Sequence, residues 1–203
     1  MIESMQNART ASQPQPCVFS WLFTSSTVMA DKFLGNPEWV QRIEKFFDTM
    51  DLNKNGYLEL GDWLQMVRNI EKETKADAAL IAKLEEAMRE YCAGMGLTPG
   101  KKSTRQQFVK DMAAFAVSER SKKAAGEQPL LFKANNAWHN VMDTNHDGYL
   151  SLEEYRIIAR ACNLKVATAD AMFARIDTNK DGKVPKDELN EAEYRYWYEI
   201  GAS

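Results

Sequence analysis

Asp143-Thr-Asn-His-Asp-Gly-Tyr-Leu-Ser-Leu-Glu-Glu154 is repeated, with few changes, at Asp51-Leu-Asn-Lys-Asn-Gly-Tyr-Leu-Glu-Leu-Gly-Asp62 and at Asp177-Thr-Asn-Lys-Asp-Gly-Lys-Val-Pro-Lys-Asp-Glu188. Each copy places side-chain oxygens at positions 1, 3, 5 and 12 and a glycine at position 6. Oxygens in this alternation can converge on one hard cation, and a glycine without Cβ allows the sharp turn between them. The repeat therefore predicts three loops that bind calcium, each lying between an entering and an exiting helix.

The three loops, called loops one, three and four in chain order, offer the same kinds of ligand. Carboxylate, amide or hydroxyl side chains and the backbone carbonyl at position 7 are the oxygen donors that calcium prefers. The candidates in loop one are Asp51, Asn53, Asn55, Tyr57, Glu59 and Asp62. Those in loop three are Asp143, Asn145, Asp147, Tyr149, Ser151 and Glu154. Those in loop four are Asp177, Asn179, Asp181, Lys183 and Glu188.

The loops are expected to differ in strength and in metal preference. Loop three has carboxylates at positions 1, 5 and 12, so we expect it to be the strongest calcium site. Pro185 stands at position 9 of loop four, where a water molecule would replace the side-chain ligand. Loop one ends in Asp62, which is one methylene shorter than glutamate, although Glu59 would compensate in part. A lower coordination number favours magnesium. We therefore expect three Ca²⁺ ions per chain, with Mg²⁺ as an alternative, above all in loop one.

A fourth helix–loop–helix unit, or EF hand, is predicted between loops one and three. It is called silent because its loop is not expected to bind metal. Loops three and four begin 34 residues apart, whereas Asp51 and Asp143 are 92 residues apart. Gly96-Leu-Thr-Pro-Gly-Lys-Lys-Ser-Thr-Arg-Gln-Gln107, called loop two, follows a helical run, and the bulky Phe108 comes next, as after the other loops. Loop two has no carboxylate and three basic residues, so it cannot neutralise a divalent cation. Its predicted role is to pair with loop one and to complete the core.

The hydrophobic pattern around the loops predicts the fold class. Apolar residues at position 8, namely Leu58, Leu150 and Val184, are expected to form short strands that pair neighbouring loops. A helical stripe enters loop one and consists of Trp39, Val40, Ile43, Phe46, Phe47 and Met50. The sequence therefore predicts an all-α, compact four-EF-hand fold with two EF-hand pairs, about eight helices and short paired loop strands.

These elements divide the chain into four parts. Residues 1–35, rich in Gln, Ser and Pro near the start, are predicted to be a disordered tail. Residues 36–116 form the N-terminal pair of hands, residues 117–129 a linker, and residues 130–203 the C-terminal pair. The two pairs together span the folded body.

Composition excludes several classes of function. The 29 acidic and 26 basic residues give a net charge of −3, which argues against a surface for nucleic acid. The three cysteines are widely spaced and form no CxxC motif, as expected of free thiols in a reducing compartment. No apolar run reaches the ~18 residues of a membrane span, and neither histidine has a catalytic partner in sequence. We therefore predict a cytoplasmic, monomeric protein that is not an enzyme.

Three further segments resemble a known group of calcium-binding proteins. They are Asn36-Pro-Glu-Trp-Val-Gln-Arg42 before the first hand, Gly96-Leu-Thr-Pro-Gly100 in loop two, and Glu193-Tyr-Arg-Tyr-Trp-Tyr198 near the end. With three working hands and a silent second one, the chain resembles the sarcoplasmic calcium-binding proteins, the calcium-regulated photoproteins and the coelenterazine-binding proteins. The resemblance extends from about residue 36 to residue 198.

The resemblance implies two main functions. Photoproteins hold a peroxidised luciferin in an apolar cavity with histidines, tryptophans and tyrosines, and Trp197 and Tyr198 match their closing Trp-Tyr pair. Glu193 and Ile43 stand where that family has histidines, and after Ser203 we expect no lid of the photoprotein kind. We therefore predict a cytosolic Ca²⁺/Mg²⁺ buffer of the sarcoplasmic type. The alternative is a Ca²⁺-dependent, non-luminescent binder of coelenterazine or another hydrophobic small molecule, and a calmodulin-like sensor is a third possibility.

Overall fold

The chain folds into helices joined by short loops, as the sequence predicts. The structure, a computed structural model, describes the backbone of residues 18–201 and the side chains from residue 26 onward. Within that range the helices are α1 Val18–Leu34, α2 Pro37–Met50, α3 Leu60–Thr74, α4 Ala78–Gly94, α5 Arg105–Ala124, α6 Leu130–Met142, α7 Leu152–Ala161, α8 Val166–Ile176 and α9 Lys186–Tyr198. The short strands β1 Tyr57–Glu59 and β2 Lys102–Thr104 precede α3 and α5. The predicted all-α EF-hand fold is confirmed.

Local sequence signals set where the helices begin. Asn36 caps α2 because its side chain accepts a hydrogen bond from the Trp39 amide, and Pro37 occupies the first turn. Ser151 and Glu154 form a capping box at the start of α7. The last position of loop three is thus also part of a helix cap, so the exiting helix fixes the carboxylate that closes the loop.

The loops pair through the residues at position 8. Strands β1 and β2 are antiparallel, with Leu58 opposite Ser103. Leu150 and Val184 form a single antiparallel bridge through two backbone hydrogen bonds of 2.9 and 3.0 Å. Leu58, Leu150 and Val184 are wholly buried. The predicted pairing of neighbouring loops is therefore confirmed, including the role of loop two as the partner of loop one.

Helices from the two pairs of hands pack against each other. The Trp39 indole Nε1 donates to the Trp197 carbonyl at 2.9 Å, and the rings of Phe46 and Trp197 lie 4.7 Å apart. On another side, the Asn69 side chain of α3 donates to the Ala161 carbonyl of α7 at 2.8 Å. The cores of the two pairs therefore meet along α2 and α9 and along α3 and α7.

The structure differs from the prediction of a tail over residues 1–35. Residues 18–34 form helix α1, which packs against α5. The helix is held because Phe33 is wholly buried and its ring lies 5.0 Å from that of Trp39. The rest of the predicted tail, residues 1–17, lies outside the described residues.

The predicted linker, residues 117–129, is also mostly helical. Helix α5 continues to Ala124, and residues 125–129 alone connect it to α6. Glu119 explains this difference, because its fully buried carboxylate accepts hydrogen bonds from Lys122 Nζ at 2.8 Å and from the Leu131 amide at 3.0 Å. The lysine, glutamate and alanine residues of this segment are good helix formers. Across the described residues, no helix is both long enough and apolar enough to cross a membrane.

Candidate functional site

Loop three winds its polar side chains around the loop interior. The Asp143 carboxylate accepts hydrogen bonds from the amides of Asp147 at 3.1 Å and Gly148 at 3.0 Å. The Asn145 side chain accepts from the Asp147 amide at 2.9 Å, and Asp147 accepts from the Tyr149 amide at 3.0 Å. These bonds fix the side chains at positions 1, 3 and 5 before any ion is considered. Gly148 has φ +86°, a backbone conformation that only glycine adopts freely.

The Glu154 carboxylate closes loop three from both ends. One oxygen accepts from the Thr144 amide at 3.0 Å and the Thr144 hydroxyl at 3.2 Å, and the other from the Ser151 amide at 3.0 Å and hydroxyl at 2.8 Å. Burial acts to raise the pKa of Glu154, but the hydrogen bonds from Ser151, Asn145 and Thr144 outweigh it and lower the pKa. The carboxylate is therefore held in its anionic form.

Loop four repeats this arrangement. Asp177 accepts from the amides of Asp181 at 3.1 Å and Gly182 at 3.0 Å. One oxygen of Glu188 accepts from the Thr178 amide at 2.9 Å and the Thr178 hydroxyl at 2.6 Å, while its other oxygen is buried without a hydrogen-bond partner. A buried carboxylate oxygen without a donor is costly unless a cation is near. The donor set of loop four therefore fits a divalent cation.

Loop one is built on the same frame but is closed differently. Asp51 accepts from the amides of Asn55 at 3.1 Å and Gly56 at 2.9 Å. Asp62, which is 2% exposed, accepts from Asn53 Nδ2 at 2.9 Å and from the Glu59 amide at 3.1 Å. Burial raises the pKa of Asp62, and the nearby Asp51 and Glu59 charges add to that effect. The electrostatic setting of position 12 is thus opposite to that in loop three.

Loop two supplies basic groups instead of ligands. Lys102 Nζ lies 3.4 Å from Glu59 Oε1 across the β1–β2 pair. Lys101 Nζ lies 3.9 Å from Asp111. Glu59, at position 9 of loop one, is therefore both a candidate metal ligand and the ion-pair partner of a lysine in the neighbouring loop.

A backbone requirement separates loop two from the others. Lys54, His146 and Lys180, at position 4 of loops one, three and four, all have left-handed φ values of 55°, 59° and 60°. Pro99 occupies position 4 of loop two, and the proline ring holds φ near −65°. Loop two therefore lacks the backbone conformation as well as the carboxylates. This proline is a sequence signal for the silent hand that the carboxylate count alone overlooks.

The structure places every predicted ligand residue in its loop, but the acidic groups do not form a compact cage. Within residues 18–201, no group of three or more His, Cys, Asp and Glu side chains is gathered in a way that would hold a metal ion. The predicted sites also depend on asparagine side chains and a backbone carbonyl, and Glu154 is hydrogen-bonded to its own loop. An ion in loop three would have to replace some of these hydrogen bonds.

A cavity of about 300 Å³ lies between the two pairs of hands. It is lined by residues of α2, α3 and α4 on one side and of α6, α7, α8 and α9 on the other. Most of its wall is aromatic or aliphatic. The main apolar residues are Phe46, Trp63, Met66, Met88, Trp138 and Trp197. Its volume lies at the lower end of the range of small-molecule sites, which is roughly 300–1,000 Å³.

One part of the cavity wall is charged. Arg175 Nη2 lies 2.5 Å from the Glu193 carboxylate, which also accepts from the Trp197 indole. The guanidinium carbons of Arg42 and Arg175 lie 4.3 and 3.8 Å from the centre of the Tyr196 ring. Arg42 also donates to the Tyr196 carbonyl. The segment Glu193–Tyr198, one of the three that carry the resemblance, therefore contributes polar groups to the cavity wall as well as aromatic rings.

Two sets of residues that shape these sites were not predicted from the sequence. Thr144 and Thr178 at position 2 donate to the closing glutamates, whereas loop one has Leu52 at that position. A hydroxyl shared by two loops and absent from the third was a usable signal. Arg42 and Arg175 line the cavity, and no local pattern in sequence marks them. Cys162 also lines the cavity, and burial raises its thiol pKa to about 12.

Comparisons with known proteins agree with this architecture. Residues 133–192 match the sequence model of an EF-hand domain pair, and residues 43–67 match that of an EF hand. Mitrocomin from Mitrocoma cellularia is 23% identical over 81% of this chain and 85% of its own length. The luciferin-binding protein of Renilla reniformis is 26% identical over 69% of this chain and 75% of its own length. Among solved structures, magnesium-loaded apo-berovin from the ctenophore Beroe abyssicola has a TM-score of 0.70 and 27% identity, over 77% of this chain and 86% of that one.

Proposed function

We propose that this chain, a calcium-binding EF-hand protein similar to the calcium-regulated photoproteins, is a calcium-controlled carrier of a hydrophobic small molecule. The molecule is coelenterazine or a compound of similar character, bound in the cavity between the two pairs of hands. We propose that the carrier holds it at low calcium and releases it when calcium binds.

The cavity is the observation that carries this proposal. A protein that only buffers ions has no need for an apolar space of about 300 Å³ with tryptophans on its wall. Interiors are normally close-packed, since unfilled space loses dispersion contacts. The comparisons point the same way, because relatives named as photoproteins and as a luciferin-binding protein match most of the chain. They favour this alternative over the cytosolic buffer that was our main prediction.

Loop four provides the connection between calcium and the cavity. Arg175 lies two residues before the first residue of the loop, and Glu193 lies five residues after the last. Their ion pair joins the entering helix α8 to the exiting helix α9 on the cavity wall. When the Glu188 carboxylate binds calcium, we expect the angle between α8 and α9 to change, as it does in sensor EF-hands. The ion pair and the Tyr196 ring would then move with α9 and open that part of the wall.

We further propose that loops one, three and four each bind one ion through the residues named above. The hydrogen-bonded side chains at positions 1, 3 and 5 support this assignment in all three loops. In berovin, all three calcium-binding loops bind magnesium ions. This supports Mg²⁺ as an alternative occupant here. Titration calorimetry should give three ions per chain, whereas four ions, or one, would contradict the assignment.

A binding titration tests the carrier. Coelenterazine added to the calcium-free protein in magnesium buffer should quench tryptophan fluorescence with one molecule bound per chain, and saturating calcium should release it. Ala134→Leu, which places a larger side chain on the cavity wall, should weaken binding without changing calcium uptake. Ala125→Leu, at an exposed position outside the cavity, is the matched control. Absence of binding in both buffers would contradict the proposal and favour the buffer.

A further inference from the structure

The described tryptophans differ in whether the indole N–H has a hydrogen-bond acceptor, and the one without an acceptor lies in the cavity wall. Among the tryptophans whose side chains the structure describes, Trp39 donates to the Trp197 carbonyl, Trp138 to the Met88 sulfur and Trp197 to Glu193. Trp63 is 4% exposed, lines the cavity, and its buried Nε1 has no partner. A buried indole N–H usually finds an acceptor, since leaving it unpaired is unfavourable.

Two more unpaired donors line the same cavity. They are Arg175 Nη1 and Asn135 Nδ2. Elsewhere in the described part of the chain, the buried polar atoms without a partner are Asp111 Oδ2, His139 Nδ1, Glu188 Oε2 and Asn190 Oδ1, and none of these residues lines the cavity. Indole and guanidinium nitrogens can only donate, whereas the Asn135 amide can turn to present either atom. The requirement for an acceptor therefore rests on Trp63 and Arg175.

The charge of the cavity wall also favours an acceptor that is negatively charged. Three basic side chains, Arg42, Lys45 and Arg175, line the cavity, against one acidic side chain, Glu193. The net charge of the lining is therefore +2. Because Arg175 pairs with Glu193 through Nη2, its Nη1 remains for a second acceptor. An arginine that keeps a free N–H next to an apolar space is suited to an anionic oxygen.

We propose that the cavity selects planar aromatic ligands that carry an anionic oxygen, with Arg175 Nη1 as the donor to that oxygen and Trp63 Nε1 as a second donor to the ligand. The ligand class is an aromatic acid or an ionised enol or phenol, and a neutral hydrocarbon of the same shape binds more weakly. This inference rests on the proposed function, because it specifies the ligand of the same cavity.

Two fluorescent dyes with one aromatic skeleton test the proposal. 8-Anilinonaphthalene-1-sulfonate carries an anionic sulfonate, and N-phenyl-1-naphthylamine lacks it. Both are titrated into the calcium-free protein, and displacement of each dye by the other establishes that they share one site. We expect the anionic dye to bind at least about tenfold more tightly, since a hydrogen bond to a charged group is worth about one such factor or more.

Variants then locate the selectivity. Arg175→Gln should weaken the anionic dye at least about tenfold and leave the neutral dye within about twofold. The double variant Arg175→Gln/Glu193→Gln should show the same loss, although it keeps the net charge of the lining at +2. It also avoids leaving Glu193 without its partner, should the single variant fold poorly. Trp63→Phe removes one N–H and should weaken the anionic dye between about twofold and tenfold. Arg195→Gln, an equal charge change at an exposed site on α9 outside the cavity, is the control.

The outcomes separate this inference from the proposed function. A preference for the anionic dye that is lost in both Arg175 variants supports the inference. Equal binding of the two dyes, or a preference that survives in the double variant, overturns the inference and leaves the carrier intact. If neither dye binds in the cavity, the carrier itself is contradicted and the inference falls with it.

Discussion

The two pairs of hands close their metal loops in different ways. In the C-terminal pair, Glu154 reaches both ends of loop three, and hydrogen bonds lower its pKa. In the N-terminal pair, the shorter Asp62 accepts from Asn53 and Glu59, and burial raises its pKa. A carboxylate that the protein already holds as an anion needs less rearrangement to meet a cation. We infer that the C-terminal pair is the half that responds to calcium.

The N-terminal pair compensates with backbone pairing. Loop one joins loop two through a ladder of three residue pairs, whereas loops three and four share the single Leu150–Val184 bridge. Lys102 of loop two adds an ion pair to Glu59. We expect this strand pairing and the Lys102–Glu59 ion pair to hold the N-terminal half together whether or not a metal is bound. The comparison therefore divides the protein into a scaffold half, the N-terminal pair, and a responsive half, the C-terminal pair.

The largest expected effect is the loss of calcium affinity when a carboxylate at position 12 is replaced by its amide. Glu154→Gln should lower the calcium affinity of loop three on the order of a hundredfold, or about 2.7 kcal/mol, because it removes a pre-positioned charge. Asp62→Asn should lower the affinity of loop one by less than about tenfold, since Asp62 is already a poor closing ligand. Glu153→Gln, an exposed neighbour outside the set of ligands, is the control. Titration calorimetry measures all three, and equal losses at the two loops would end the division into unequal halves.

The two buried cysteines provide the next test, since each belongs to a different half. Cys92 lies in α4, and Cys162 follows α7 and lines the cavity. Burial raises the pKa of both thiols, that of Cys162 to about 12, so both react slowly near pH 8. If calcium opens the part of the cavity wall formed by the C-terminal pair, water reaches Cys162 and its pKa falls back toward the ordinary value. Its reaction with a disulfide reagent should then accelerate about tenfold.

The thiol rates are measured in a Cys17→Ser background, with Cys92→Ala and Cys162→Ala to assign them. Cys92 should change by less than about twofold when calcium is added, because it lies in the scaffold half. Raising the pH by one unit should accelerate both reactions about tenfold, since the thiolate fraction rises as pH approaches the elevated pKa from below. Acceleration of Cys92 alone would reverse the roles of the two halves.

A smaller effect is expected from the lysine that contacts loop one. Lys102→Met removes the ion pair to Glu59 and should raise the Mg²⁺ and Ca²⁺ affinity of loop one by about threefold, as expected for an exposed pair. Lys101→Met changes the same charge one residue away, where the partner is Asp111, and should leave loop one unaffected. The difference between the variants should shrink at high salt. No difference at low salt would show that loop two does not influence loop one.

The sequence was sufficient where short-range rules apply. The pairing of the loops at position 8 follows from a twelve-residue pattern and its spacing, and the same pattern predicts the metal ligands and the silent hand. The helical stripe entering loop one also predicted core residues correctly, since Trp39, Ile43, Phe47 and Met50 are buried. In these places one local rule determines both the chemistry and the conformation.

Long-range packing could not be obtained in the same way. Arg42 and Tyr196 are 154 residues apart, and their contact exists because the two pairs of hands face each other. Helix α1 was missed because its order depends on burying Phe33 against Trp39, while its own sequence is rich in serine and threonine. Pro99 is a different case. It was readable from the rule that position 4 needs a left-handed backbone.

The last prediction expects no effect at all: the protein charged with coelenterazine and oxygen should not emit light when calcium is added. The family resemblance implies histidines at positions that here hold Ile43, wholly buried without a donor, and Glu193, whose carboxylate accepts from Arg175 and Trp197. Ile43 has no polar atom, and both oxygens of the Glu193 carboxylate are already engaged by these donors. The chain's two histidines do not substitute, since His139 Nε2 lies 3.1 Å from the Val184 carbonyl, His146 is exposed in loop three, and neither lines the cavity. A luminometer compares equal molar amounts with mitrocomin. Binding without light supports the carrier, whereas a comparable flash would show that the scaffold and responsive halves assemble a light-emitting site without histidine.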